Sequence, residues 1–187
     1  MPTNKDSEER RNEFVDAAEK LFKENGIVDT TINSIVKEMD VAKGLFYYYF
    51  KSKDDVIDAI SEKYNEVFTE MMNASMDKPN YQDRLEQYIE NSVYSFRNLT
   101  KEVENNEVDL TALSQKSIDE ALNTSIDGLE NLLEEGNENG TYSLKYPKYY
   151  ANIFISGILR LIEENQASDE EIKDIILDLI KRSGKED

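Results

Sequence analysis

The sequence contains neither cysteine nor histidine. Disulfides, Cys/His zinc sites, thiol nucleophiles and histidine-based acid–base relays are therefore excluded together. Glycine and proline are scarce, seven and three in 187 residues, which argues for long regular elements and few loops. The longest apolar run falls far short of the roughly 18–20 residues that span a bilayer. The N-terminal MPTNKDSEERR is polar and has no apolar stretch of the signal-peptide kind. These absences predict a soluble, cytoplasmic chain with no membrane partner.

Positive charge is also in short supply: 22 Lys and Arg against 40 Asp and Glu leave a net charge of −18. The carboxylates are read as solvated helix surface. With no glycine-rich phosphate loop and no metal-ligand cluster, paired-carboxylate catalysis has no support. The expectation is a chain that is not an enzyme and needs no cofactor or metal. Taken alone, the acidity also argues against nucleic acid. It is unevenly spread, however. Residues 1–55 hold nine bases and twelve acids, and residues 56–187 hold thirteen and twenty-eight. Within Val41–Lys53 there are three lysines and no acid, the one clearly cationic stretch of the chain.

Hydrophobic spacing is helical throughout, and the predicted fold class is all-α with about nine helices. A first helix opens near Asp6 or Ser7, carries Phe14, Ala17, Ala18, Leu21 and Phe22, and ends at Asn25-Gly26. A short second helix follows Thr30-Thr31, either of which could cap it, and a third spans roughly Lys43–Tyr49. Ser52, with Asp55 three residues on, starts a long fourth helix. Further helices begin at Tyr81 and Leu113; the second of these ends at Gly136 and Gly140. Lys101 to Asp109 reads as a loop or short helix. Pro147 opens another helix, and Ser168-x-x-Glu171 caps the last. A boundary is placed after residue 52, giving a helix-turn-helix head at 1–52 and a helical body at 53–187.

In the head, two short helices joined by a few residues have helix-turn-helix geometry, in which the last helix enters the major groove. The i, i+4 pair Phe46 and Phe50 would face inward, leaving Lys43, Gly44, Leu45, Tyr47 and Tyr48 outside. Three consecutive tyrosines on a two-turn helix are hard to explain by packing alone. A phenol offers a flat apolar face to a sugar or thymine methyl and a hydroxyl to a phosphate oxygen. Lys43 and Lys53 bracket the helix. Lys53 opposes the dipole of the helix it opens, so its reason is sought outside the chain. The competing reading makes the tyrosines partly buried core and the lysines solvated surface.

The segment GIVDTTINSIVKEMDVAKGLFYYYFKSKDDV, Gly26 to Val56, resembles the DNA-binding signature of the TetR (tetracycline-repressor) family. The resemblance rests on the Thr-Thr opening of helix two, the Lys-Gly before helix three, Phe-Tyr-x-Tyr-Phe within it and the Lys-Ser-Lys exit. It covers about the first 60 residues. It implies that Thr31 contacts phosphate, that Lys43, Gly44 and Leu45 touch bases or backbone, and that Tyr47 and Tyr48 reach phosphate and base edges. Tyr49 and Lys53 would reach phosphate. The sequence departs from the common pattern at Met39-Asp40, read as tolerable inside a helical turn, at Val36 and at Leu45.

The resemblance further implies a sequence-specific transcriptional regulator of double-stranded operator DNA, read as a repressor that a small-molecule effector releases. Homodimers would form through the last two helices, and a ligand would act by displacing the fourth helix. Candidate pocket residues are Phe68, Met71, Met72, Tyr88, Phe96, Leu113 and Phe154, a set whose aromatic and Met content suits an adaptable apolar pocket. The acidic balance of this half would favour a cationic lipophilic ligand. The expected dimer face is Tyr150, Phe154, Gly157, Ile158, Leu161, Ile172, Ile175, Ile176 and Leu179. The alternative of another class is a helical adaptor that binds protein partners and no DNA.

Overall fold

A computed structural model describes residues 4–105, 111–165 and 167–184. Among these residues the architecture is all-α: α1 (Asn4–Asn25), α2 (Ile32–Glu38), α3 (Lys43–Tyr49), α4 (Lys53–Ala74), α5 (Tyr81–Asn105), α6 (Thr111–Glu138), α7 (Pro147–Glu163) and α8 (Asp169–Ser183), with a single 3-10 turn at Ser75–Asp77. Eight α-helices stand where about nine were expected. The stretch from Lys101, read as a loop or short helix, continues α5 to Asn105, and residues 106–110 of it lie outside the described residues. Two compact units make up the chain, Met1–Tyr64 with Val103–Ser117, and Asn65–Glu102 with Ile118–Asp187.

The first unit contains the head. α1 buries Phe14, Val15, Ala18, Leu21 and Phe22 and stops at Gly26, whose φ of 82° places it in the left-handed region that glycine enters freely. The two threonines that follow divide their work. Thr30 turns inward, its hydroxyl donating to the carbonyls of Gly26 (2.8 Å) and Leu21 (3.1 Å). Thr31 caps α2: its Oγ1 accepts from the Ser34 N–H at 3.1 Å, and the Ser34 hydroxyl accepts from the Thr31 N–H at 2.9 Å.

α2 ends in a Schellman arrangement. The Val41 N–H donates to Val36 O at 3.0 Å and the Asp40 N–H to Lys37 O at 3.2 Å. Asp40 therefore has φ of 52°. It sits at the left-handed position after the helix, in the tight link to α3. α3 follows directly, its Phe46 ring edge-on to Phe14 at 5.8 Å.

α4 starts as expected, with Ser52 and Asp55 bonded reciprocally and the Lys51 N–H donating to Asp55 at 2.7 Å. Hydrogen bonds from the Lys51 N–H and Ser52 hold the Asp55 carboxyl below its usual range. The first turns of α4 bury Val56, Ile57, Ala59 and Ile60 in the same core as Phe14, Phe46 and Phe50, and Leu113 joins them. The head's packing thus runs past residue 52. Further along, α4 is tied to α1: Lys63 pairs with Asp16 (2.8 Å) and Glu19 (3.0 Å), and the Tyr64 hydroxyl donates to Glu19 at 2.5 Å. Burial of Glu19 favours the neutral acid. Hydrogen bonds from Lys23, Tyr64 and Lys63 outweigh it and hold the carboxyl down to about 2. Burial and the same carboxylate push the Tyr64 phenol up to about 12.

The second unit packs α5, α6, α7 and α8 around Leu85, Tyr88, Ile89, Phe96, Leu129, Leu132, Leu133, Ile155, Ile158, Ile172 and Ile180. Gly136 does not end α6 but lies inside it, where a Cβ would collide with the Tyr81 hydroxyl and the Tyr142 ring; the helix stops before Gly140, whose φ is 77°. Pro147 is the first residue of α7. Ser168 and Glu171 form the capping box of α8. Arg97 braces α5 against the start of α8 and the segment before it, reaching Asp169 at 2.7 Å and the Ala167 carbonyl at 2.9 Å. Among the described residues no helix is long and apolar enough to cross a membrane.

Candidate nucleic-acid interface

α3 is a two-faced helix. Phe46 and Phe50 fill the head's core, which fixes the rotation of the helix and turns the intervening side chains outward. Tyr48 is 74% exposed and Tyr47 49%. Each phenol is held against a neighbouring ring rather than left loose: Tyr47 edge-on to Phe46 (5.6 Å) and Tyr48 edge-on to Tyr49 (4.9 Å). Lys43 is exposed, with Nζ 5.9 Å from the centre of the Tyr47 ring. Tyr49 is half-buried against Phe14 at 5.8 Å. Leu45, also half-buried, packs on the head's core and shows only part of its side chain.

Gly44 is exposed in the first turn of α3, and a Cβ built there would meet nothing within 4 Å. The chain's own packing gives no reason for glycine at this position. Thr31 is exposed at the head of α2. Of the eight residues assigned to this surface, Thr31, Lys43, Gly44, Tyr47 and Tyr48 are exposed, while Leu45, Tyr49 and Lys53 are half-buried.

Lys53 corrects the sequence reading most clearly. Its ammonium donates to the Ile27 carbonyl and, at 3.0 Å, to the Thr30 carbonyl, both in the turn between α1 and α2. A cation in the first turn of α4 thus has two acceptors within the chain. No spacing rule could have found this, because the partners are backbone atoms 26 and 23 residues away.

In the second unit, five pocket candidates, Phe68, Met72, Tyr88, Phe96 and Phe154, belong to the buried core, and Met71 packs on it. Leu113 does not join them; it sits in the core of the first unit. The buried polar side chains of the second unit, among the described residues, are the serines Ser75, Ser92, Ser95 and Ser125, and none carries a charge. The net acidity of this half is on its surface, so it gives no reason to favour a cationic ligand. Tyr88 donates to the Ser125 carbonyl at 3.0 Å, whereas the Ser125 hydroxyl has no partner.

The expected dimer face needs division. Phe154, Ile158, Ile172 and Ile176 are buried in the chain's own core, so they are unavailable to a partner. Tyr150 stacks on Phe154 at 5.9 Å, and Leu161 is half-buried. The outward apolar residues are Ile153 (63% exposed), Ile175 (44%) and Leu179 (43%), with Tyr149 also exposed. Gly157 lies on the same side of α7 as Ile153, and nothing stands within 4 Å of a Cβ there.

The head is a helix-turn-helix with an outward α3 of tyrosine and lysine, and the described residues of the rest of the chain are helical. Residues 14–60 match the family of bacterial regulatory proteins described as the tetR family. The regulator HbdR of Aromatoleum sp. (strain CIB) is 50% identical over 50 residues, which are 27% of this chain and 22% of HbdR. The match thus spans less than a quarter of that relative's length. A TetR/AcrR-family transcriptional regulator from Thermobifida fusca has a similar fold, with a TM-score of 0.67 at 21% identity over 95% of this chain and all of the other. SmeT, the repressor of a multidrug efflux pump of Stenotrophomonas maltophilia, aligns with a TM-score of 0.62 at 19% identity over 95% of this chain and 91% of its own. Beyond the head these likenesses concern the fold alone.

Proposed function

We propose that the chain is a sequence-specific DNA-binding transcriptional regulator, acting as a repressor that a small-molecule effector releases. The observation that carries this is the outward face of α3. Two exposed tyrosines and a lysine stand on a short helix whose opposite face is locked into the head by Phe46 and Phe50. In this reading α3 lies in the major groove. Lys43 neutralises phosphate or meets a base edge, Tyr47 and Tyr48 contact phosphate and base edges, and Tyr49 and the visible part of Leu45 line the rim. Thr31 supplies a phosphate contact from the head of α2. The open space over Gly44 is where the duplex backbone comes closest.

Two copies present two heads through the outward faces of α7 and α8. Ile153, Gly157, Ile175 and Leu179 form the centre of an isologous contact, with Tyr150 and Leu161 at its edge. Half-sites then lie about one turn apart, roughly 34–36 Å. The effector is taken up by the second unit, where Phe68, Met71, Met72, Tyr88, Phe96 and Phe154 offer aromatic and thioether surface. SmeT, of similar fold, is known in a complex with triclosan. Release requires that the ligand favour one of two placements of α4, since a ligand with equal affinity for both shifts nothing.

The test is selection of bound DNA from a random duplex pool by the full chain, followed by a mobility shift on the selected sequence. Enrichment of a palindromic site supports the reading. If no duplex is enriched, the protein-binding adaptor takes its place.

A further inference from the structure

Two parts of the head meet at one ammonium group. Lys53 leaves the first turn of α4, and its Nζ donates to the carbonyls of Ile27 and Thr30 in the α1–α2 turn, the latter at 3.0 Å. A lysine has three donors and no acceptor, so two of its three hydrogen bonds are made within the chain. The turn it grips is held from its other side as well. The buried Thr30 hydroxyl donates to Leu21 and Gly26, and the next residue, Thr31, carries the cap of α2.

We infer that Lys53 is a positioning residue for duplex binding rather than a phosphate ligand. Two of its three donors are engaged by backbone carbonyls, and it sets the α1–α2 turn, with Thr31 at its end, against the start of α4. The inference rests on the DNA-binding reading above. It also gives α4 a direct hold on the groove-facing part of the head. A displacement of the first turn of α4 pulls on the α1–α2 turn through a single side chain, with no need for the head's core to deform.

The two roles of Lys53 separate in salt. A cation that neutralises a phosphate releases counterions, and each phosphate so neutralised contributes about 0.9 to the slope of log affinity against log salt. A staple between carbonyls contributes nothing to that slope. Binding of the selected duplex by the full chain is therefore measured by fluorescence anisotropy across a salt series, for the wild type, Lys53→Met and Lys53→Gln. Amide exchange of Ser34 is followed in the same proteins without DNA. The expected result for Lys53→Met is about tenfold weaker binding with the wild-type salt slope, and faster exchange at Ser34. Lys53→Gln, which keeps neutral donors, recovers part of the affinity and part of the protection.

A shallower slope in either variant would make Lys53 a phosphate ligand and overturn the inference. Unchanged affinity in Lys53→Met would overturn it too, as would loss of the folded state in both variants, which would make the interaction a requirement of folding alone. A wild type that enriches no duplex rejects the DNA-binding reading itself, whatever the exchange rates show.

Discussion

Single residues carry the sharpest consequences of this structure. Gly44 stands in a helix, where glycine is less favourable than alanine by about 1 kcal/mol, and nothing in the chain crowds its missing Cβ. Gly44→Ala should melt at the same temperature as the wild type or slightly higher, while its mobility shift on the selected duplex weakens. Equal DNA binding would remove the reason assigned to the glycine. Asp40 holds φ of 52° after α2, where a side chain costs about 1–2 kcal/mol. Glycine fits there without that cost but loses more chain entropy on folding. Asp40→Gly should therefore raise stability by up to about 1 kcal/mol in denaturant titration, and a decrease in stability would contradict the assigned turn. Some of this is legible in the sequence: the i, i+4 pair Phe46 and Phe50 tells which face of α3 is inward. The roles of Thr30 and Lys53 are not. A threonine pair does not say which hydroxyl turns in, and a lysine's backbone acceptors leave no mark in sequence.

At the scale of elements, capping signals are plain in the sequence and faces less so. Ser52 with Asp55, Ser168 with Glu171 and the proline opening α7 all stand where local chemistry puts them, because a cap depends on residues three apart. α7 and α8 are harder to read, since both are apolar on two sides. Ile155, Ile158 and Ile162 of α7 and Ile172, Ile176 and Ile180 of α8 face the chain's own core, while Ile153, Ile175 and Leu179 face out. Periodicity finds both stripes but does not say which belongs to a partner. Ile158→Asp should accordingly unfold the second unit, whereas Ile153→Asp should keep the helical spectrum and shift light scattering from dimer to monomer. A folded, monomeric Ile158→Asp or a dimeric Ile153→Asp would reject that division.

The α1–α4 tie is another feature between elements, built from groups more than 40 residues apart. The Glu19 carboxyl is depressed from 4.5 to about 2 in the folded chain, so the stability it contributes is present above about pH 4.5 and is lost as pH falls toward 2. Glu19→Gln should melt lower than the wild type at pH 7, with the gap closing across that window. A gap that stays constant down to pH 2 would mean that the ionised carboxylate is not what holds the two helices together.

The whole molecule combines a net charge of −18 with a small cationic, tyrosine-bearing edge. In the proposed reading, affinity for DNA depends on few cations working against a repelling body, and it should fall steeply with salt. The all-α class and the helix-turn-helix can be read from spacing and from the Gly26–Val56 signature. The extent of the head cannot, because the burial of Val56, Ile57, Ala59 and Ile60 with Leu113 joins segments far apart in the chain. The measurement that tests the central claim most directly is a salt-series anisotropy titration of the selected duplex with Lys43→Ala beside the wild type. The account predicts weaker binding and a slope shallower by about 0.9 for each phosphate that Lys43 neutralises, with an unchanged helical spectrum. The same affinity and the same slope in the two proteins would place the duplex elsewhere than on the outer face of α3.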